Sequence, residues 1–167
     1  MNQASSLSKQ SEPLETIAQT PEVPTKQQQL VEGFKSLFQQ LNKSNIDSGL
    51  IESVYDNNLL FEDSFHRISG RQAFKSYCES VYENLKYCEF DFHQEWITDH
   101  DAMLTWTMRY AHPRLNKGNQ ITVQGSSHLR FEEKVFYHRD YFDGGQLLYE
   151  HVPLLGKAIQ HLKNRMA

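Results

Sequence analysis

Residues 134–145 read KVFYHRDYFDGG. Aromatic and charged side chains interleave through the run, and a glycine pair ends it. Such a run reads as a strand, in which successive side chains point to opposite faces. His138, Asp140 and Phe142 then share one face, and Tyr137, Arg139, Tyr141 and Asp143 share the other. If the first face lines a cavity, the strand carries candidate chemistry; if it meets solvent, the strand is an ordinary sheet edge.

Upstream sequence supplies the context. ITVQGSSHLRF (121–131) reads as the neighbouring strand, joined to the last one by a tight turn at Glu132-Glu133, with Gly125 expected at a bulge. In AMLTWTMRYAHP (102–113), Leu104, Trp106, Met108 and Tyr110 alternate with Thr105, Thr107 and Arg109, and the following Asn116-Lys117-Gly118-Asn119 signals a hairpin. Cys88, Phe90 and Phe92 alternate with Glu89, Asp91 and His93 in the same way.

Before residue 86 the period is helical. Leu30, Val31, Phe34, Leu37, Phe38 and Leu41 recur at three- and four-residue steps, and Phe74, Tyr77, Cys78, Val81, Tyr82 and Leu85 repeat that stripe. A shorter helix is expected in DSGLIESVYDNN (47–58), capped by Asp47 or Ser48. LLFEDSFHRI (59–68) is an apolar strand that stops at Ser69-Gly70, and the residues after Gly145 read as a helical segment broken near Pro153–Gly156. Helices early and a meander late imply an α+β fold: a curved antiparallel sheet forming a cone around the N-terminal helices, with room inside for a small ligand.

Length and composition narrow the classes. A chain of 167 residues suits one domain, taken here as residues 26–167. Residues 1–25 contain no aromatic residue and are rich in Ser, Gln, Glu and Pro, so a disordered N-terminal tail is expected there. The net charge of −4 and scattered Lys and Arg point to neither nucleic acid nor an anionic membrane as partner. No apolar run is long enough to span a bilayer and no secretory leader is evident, so a cytoplasmic protein is expected. Cys78 and Cys88 form neither a disulfide framework nor a zinc spacing, and Cys78 falls on a helical apolar stripe as a buried thiol. No phosphate loop, nucleophile elbow or zinc-protease histidine motif occurs, and although two histidines and a carboxylate would satisfy a metal-site count, no known ligand spacing appears, so no metal and no cofactor is expected.

Several residues are candidates for chemistry. Asp140 is a carboxylate suited to general-base work on a cavity wall, or alternatively a structural partner of Arg109 or a histidine. Asp63 would add a second carboxylate from another strand, or serve as a turn residue or partner of Arg67. His128 and His138 lie on adjacent strands, where cross-strand pairing would build a proton-transfer network with Asp140. Arg109 would stabilise developing negative charge. Tyr55, Phe61, Phe65, Trp106 and Phe142 would line the cavity, or form plain aromatic core.

The element order, the stretch LLFEDSFHRISGRQAF (59–74) and the last strand VFYHRDYFD (135–143) resemble the nuclear transport factor 2-like superfamily over roughly residues 28–152. The nearest branch is SnoaL-like, which includes polyketide cyclases, ketosteroid isomerases and limonene-epoxide hydrolases. The resemblance implies a conical roll, cofactor-free acid–base chemistry on a small apolar molecule, and a homodimer formed through the outer sheet face, to which Thr105, Thr107, Gln124 and Tyr137 would contribute. Similarity to the hydrolases' last strand places the catalytic aspartate at Asp140. The strand that carries their arginine–aspartate pair offers Arg109 here, with no aspartate two residues away. Phe61 and Asp63 stand where those enzymes hold water with a tyrosine and an asparagine. Isomerase, cyclase and hydrolase all fit, and so does a non-catalytic module that binds a lipophilic ligand or dimerises.

Overall fold

Thr25 opens the first helix with a reciprocal cap: its hydroxyl accepts the Gln28 N–H at 3.2 Å, and its own N–H donates to Gln28 Oε1 at 2.7 Å. The structure, a computed structural model, describes residues 23–152 and 154–166. The expected tail therefore lies outside the described residues, apart from its last members, and Thr25 belongs to the fold. Helix α1 (Lys26–Gln40) buries Val31, Phe34 and Leu37, as its stripe requires.

The second helix is shorter than its sequence suggests. A single 3-10 turn (Ile46–Ser48) precedes α2 (Leu50–Val54), and strand β1 (Tyr55–Glu62) already starts at Tyr55. Neither Asp47 nor Ser48 caps α2: its N-cap is Gly49, with φ of 90° and no side-chain cap bond. The stretch read as one strand is a hairpin of β1 and β2 (Arg67–Ser69), turning over Asp63–His66. Gly70 then begins α3 (Arg71–Glu83), which buries Phe74, Cys78 and Tyr82 at four-residue steps.

Strands β3 (Tyr87–Ile97), β4 (Asp101–Ala111), β5 (Gln120–Phe131) and β6 (Val135–Phe142) complete a six-stranded sheet in the order β2-β1-β6-β5-β4-β3. The sheet is curved and unclosed, and α1 and α3 pack against β3 and β1. Among the described residues five strand pairs are present and four are antiparallel; β1 and β6 run parallel, with Phe61 beside His138. The fold is thus α+β as expected, with one parallel junction that the alternation pattern could not show.

Two local details depart from the strand reading. Gly125 is not a bulge, since β4 and β5 pair without interruption from Asp101↔Arg130 to Ala111↔Gln120. Glycine is required there because any β-carbon would collide with the indole of Trp106, its cross-strand partner. A real shift occurs in β3, between Phe92 and Glu95, where two residues oppose one. Phe92 pairs with inward-facing Trp106, whereas Trp96 pairs with Met103 and stands 56 % exposed on the outer face.

Beyond β6, α4 (Gly144–Leu147), a 3-10 turn (Tyr149–His151) and α5 (Leu155–Met166) follow. Asp143 caps α4 by accepting the Gly145 N–H at 2.6 Å, and Pro153 lies outside the described residues. No described helix is long and apolar enough to cross a membrane.

Candidate functional site

Strand alternation and the β5–β6 register bring one polar chain into an apolar interior. His138 faces inward from β6, is 1 % exposed, and sits edge-on to the rings of Phe34, Phe61 and Phe74. Its Nδ1 lies 2.8 Å from the Tyr55 hydroxyl and its Nε2 lies 2.8 Å from Asp140 Oδ1. Burial and the nearby Asp140 charge push the Tyr55 phenol well above its ordinary value, so it keeps its proton. Having no other acceptor among the described residues, that phenol donates to Nδ1, and Nε2–H donates to the carboxylate.

A second arm reaches the same oxygen. Ser127 stands directly across from Asp140 in the β5–β6 ladder and donates to Oδ1 at 2.5 Å. The indole N–H of Trp106 donates to Ser127 Oγ at 2.9 Å. Trp106, Ser127, Asp140, His138 and Tyr55 thus form one continuous chain whose donors converge on a single carboxylate oxygen. Asp140 Oδ2 has no protein partner among the described residues, and the side chain remains 18 % exposed.

That side chain looks into a pocket of about 390 Å³, within the range of small-molecule sites. Its walls are Phe74, Tyr77, Cys78 and Tyr82 of α3, Phe61 of β1, Cys88 and Phe90 of β3, Trp106 and Met108 of β4, Phe142 of β6, and Leu147 and Leu148 after β6. Phe65 also lines it, from the β1–β2 turn. Among the described residues no lysine or arginine does. Burial pushes both Cys78 and Cys88 thiols up to about 12, which leaves them protonated and inert as nucleophiles.

Asp63 reaches the pocket wall too, but its oxygens are committed. Oδ1 accepts the backbone N–H groups of Phe65 and His66 at 2.7 and 2.6 Å, Oδ2 accepts the Tyr77 hydroxyl at 3.2 Å, and the His66 ring lies against both. It organises the hairpin turn and is 4 % exposed.

Three expectations are corrected here. Arg109 lies on the outer face of β4, ion-paired with Asp91, because its parity opposes that of Trp106. His128 also faces outward, pairs with Arg139 and rests on the Tyr137 ring. It is no neighbour of His138, which pairs with Leu129. Tyr55 is fully buried behind His138 and does not line the pocket. Ser127 was missed by sequence reasoning, although the inward set Ile121, Val123, Gly125, Ser127, Leu129 could have revealed it. Among the described residues no cluster of His, Cys, Asp and Glu has the makings of a metal site.

Residues 34–138 match the SnoaL-like domain, so the chain belongs to that family. No protein of curated function matches it. Among solved structures, an LEH-like epoxide hydrolase of M. tuberculosis is similar at 17 % identity and a TM-score of 0.57, covering 71 % of this chain and 83 % of that one. An NTF2-like protein of unknown function from Burkholderia pseudomallei is similar at 12 % identity and a TM-score of 0.63, covering 75 % and 96 %. An NTF2-like protein of unknown function from Exiguobacterium is similar at 16 % identity and a TM-score of 0.56, covering 69 % and 98 %. At these identities the likeness speaks to the fold alone.

Proposed function

We propose that the pocket holds a small lipophilic molecule and that Asp140 exchanges a proton with it in cofactor-free acid–base catalysis. One observation carries this reading: Oδ1 of Asp140 is held by Ser127 and His138, while Oδ2 is left without a protein partner among the described residues, on a wall made mainly of aromatic and aliphatic side chains. A carboxylate so oriented is placed to take a proton from a bound carbon acid or an attacking water. His138, fixed by Tyr55, donates to the same carboxylate and sets its orientation. The reaction classes in keeping with the family are isomerisation, cyclisation and hydrolysis.

The test begins with native mass spectrometry of the purified chain, to identify a lipophilic molecule carried in the pocket. That molecule is then incubated in heavy water with the native protein and with Asp140→Asn. Deuterium uptake or turnover with the native protein, lost in the variant while binding persists, is the expected result. Equal binding with no exchange in either protein would refute catalysis and leave a binding module. That second reading is favoured by one finding: Asp63 lies on the pocket wall with both oxygens already bound, and Arg109 lies on the outer sheet face, so neither is free to act with Asp140.

A homodimer through the outer sheet face is part of the same proposal. The β3 bulge supports it by turning Trp96 onto that face, where Tyr141 is also exposed.

A further inference from the structure

Helix α5 is amphipathic yet almost uncovered. Leu155, Ile159, Leu162 and Met166 recur at four-, three- and four-residue steps, which aligns them on one narrow stripe. Leu155, Leu162 and Met166 are 44 %, 59 % and 88 % exposed, and the preceding Leu154 is 79 % exposed. The helix touches the body through the 3-10 turn at Tyr149–His151, where Gly156 packs on the Glu150 backbone and Lys163 pairs with the Glu150 carboxylate. Ile159 is half-buried, and the rest of the apolar stripe is left uncovered among the described residues.

The charges on α5 are sorted as sharply as its apolar groups. Lys157, Lys163 and Arg165 are all basic, and the helix contains no aspartate or glutamate. The chain's net charge of −4 therefore resides elsewhere and conceals a locally cationic terminus. At 100° per residue, Lys163 and Arg165 fall on either side of the stripe, and Lys157 and His161 fall on the far face. Long basic side chains flanking an apolar stripe can sink their alkyl stems while their charged heads stay at the headgroup level.

We propose that α5 is a membrane-surface helix that docks this protein on an anionic lipid bilayer, with Leu155, Ile159, Leu162 and Met166 entering the acyl boundary. Charge complementarity selects this occupant. Two copies meeting stripe to stripe would set together two helices that hold no acidic residue, with Arg165 at the edge of the stripe and Lys163 already paired with Glu150, whereas anionic headgroups offer the missing negative charge. The position in the fold agrees with this role: Leu147 and Leu148 of the pocket wall lie only a few residues before the helix, so docking brings that wall close to the lipid phase. The inference stands on α5 alone and does not depend on Asp140 being catalytic.

Flotation of the full chain with vesicles tests it, comparing phosphatidylcholine with a mixture of phosphatidylcholine and phosphatidylglycerol. The expected result is recovery with the anionic vesicles, falling as salt is raised. Leu162→Glu combined with Met166→Glu should lower the floated fraction roughly tenfold, and Arg165→Glu, which reverses a cation beside the stripe, should do so comparably, because stripe and charge act together. Circular dichroism of each variant checks that the fold is retained. Failure to float at low salt, or flotation indifferent to the stripe variant, overturns the proposal. So does light scattering in which the stripe variant turns a dimer into a monomer without any vesicle binding, since the stripe would then be an interface between copies.

Discussion

The hydroxyl of Ser127 and the Nε2 of His138 meet on one oxygen of Asp140, at 2.5 and 2.8 Å. Two donors from different strands thereby hold one oxygen of the carboxylate and leave the other toward the pocket.

Tyr55→Phe leaves the ring in place and removes the hydrogen donated to His138 Nδ1. A buried acceptor without a partner costs about 1–3 kcal/mol. Urea unfolding should show that loss with an unchanged slope. Stability equal to the native protein would mean that Nδ1 finds another donor.

Gly125→Val sets a branched side chain against the Trp106 indole. Overpacking of this kind costs about 1–3 kcal/mol. The indole must also shift, breaking its bond to Ser127, so near-ultraviolet dichroism and lipophilic-ligand binding should change along with stability.

Arg109→Gln and His128→Ala touch only the outer face. Each should alter stability by less than about 1 kcal/mol. Neither should affect ligand binding in the pocket; a loss of binding in titration calorimetry would require Arg109 to reach the interior in solution.

Cys78 and Cys88 should resist a disulfide reagent such as Ellman's at neutral pH and react once urea unfolds the chain. Their folded-state values lie above the ordinary 9.0, so the folded state holds these protons more tightly than the unfolded chain does. Their contribution to stability is complete below pH 9.0 and erodes as pH climbs toward about 12. Replacing both by serine should flatten that alkaline decline, which thermal melts across the range would reveal.

Trp96→Glu places a charge on the outer face of the edge strand β3, in the position of its most exposed aromatic side chain. Light scattering should give a dimer mass for the native chain and a monomer mass for this variant. A native monomer would remove the sheet-face pairing.

Much of the fold was legible because its long elements carry one clean period each. The α1 stripe from Leu30 to Leu41 and the inward set Leu104, Trp106, Tyr110 leave little choice of face. The alternation that groups His138 with Asp140 and Phe142 also separates Arg109 from Trp106. The His128–His138 error shows the limit: both histidines sit on adjacent strands, but pairing depends on register, and a one-residue offset sends them to opposite faces. The β3 bulge, the parallel β1–β6 contact and the Gly125–Trp106 collision are tertiary facts with no local sequence mark. Asp63 was legible only as a choice between turn and pocket, and it occupies both places.

The parallel contact has a consequence for how the chain reaches this state. β1 is complete at Glu62, yet the strand beside it, β6, begins only at Val135, so the sheet stays in two unjoined pieces until nearly the whole chain is available. His138 meets Tyr55 across that same seam. During synthesis, the helices and the first hairpin emerge with their apolar faces unsheltered, and the pocket closes only when β6 slots between β1 and β5. The strand that carries Asp140 is therefore also the keystone of assembly, and truncation before it should yield an aggregating chain rather than a smaller domain.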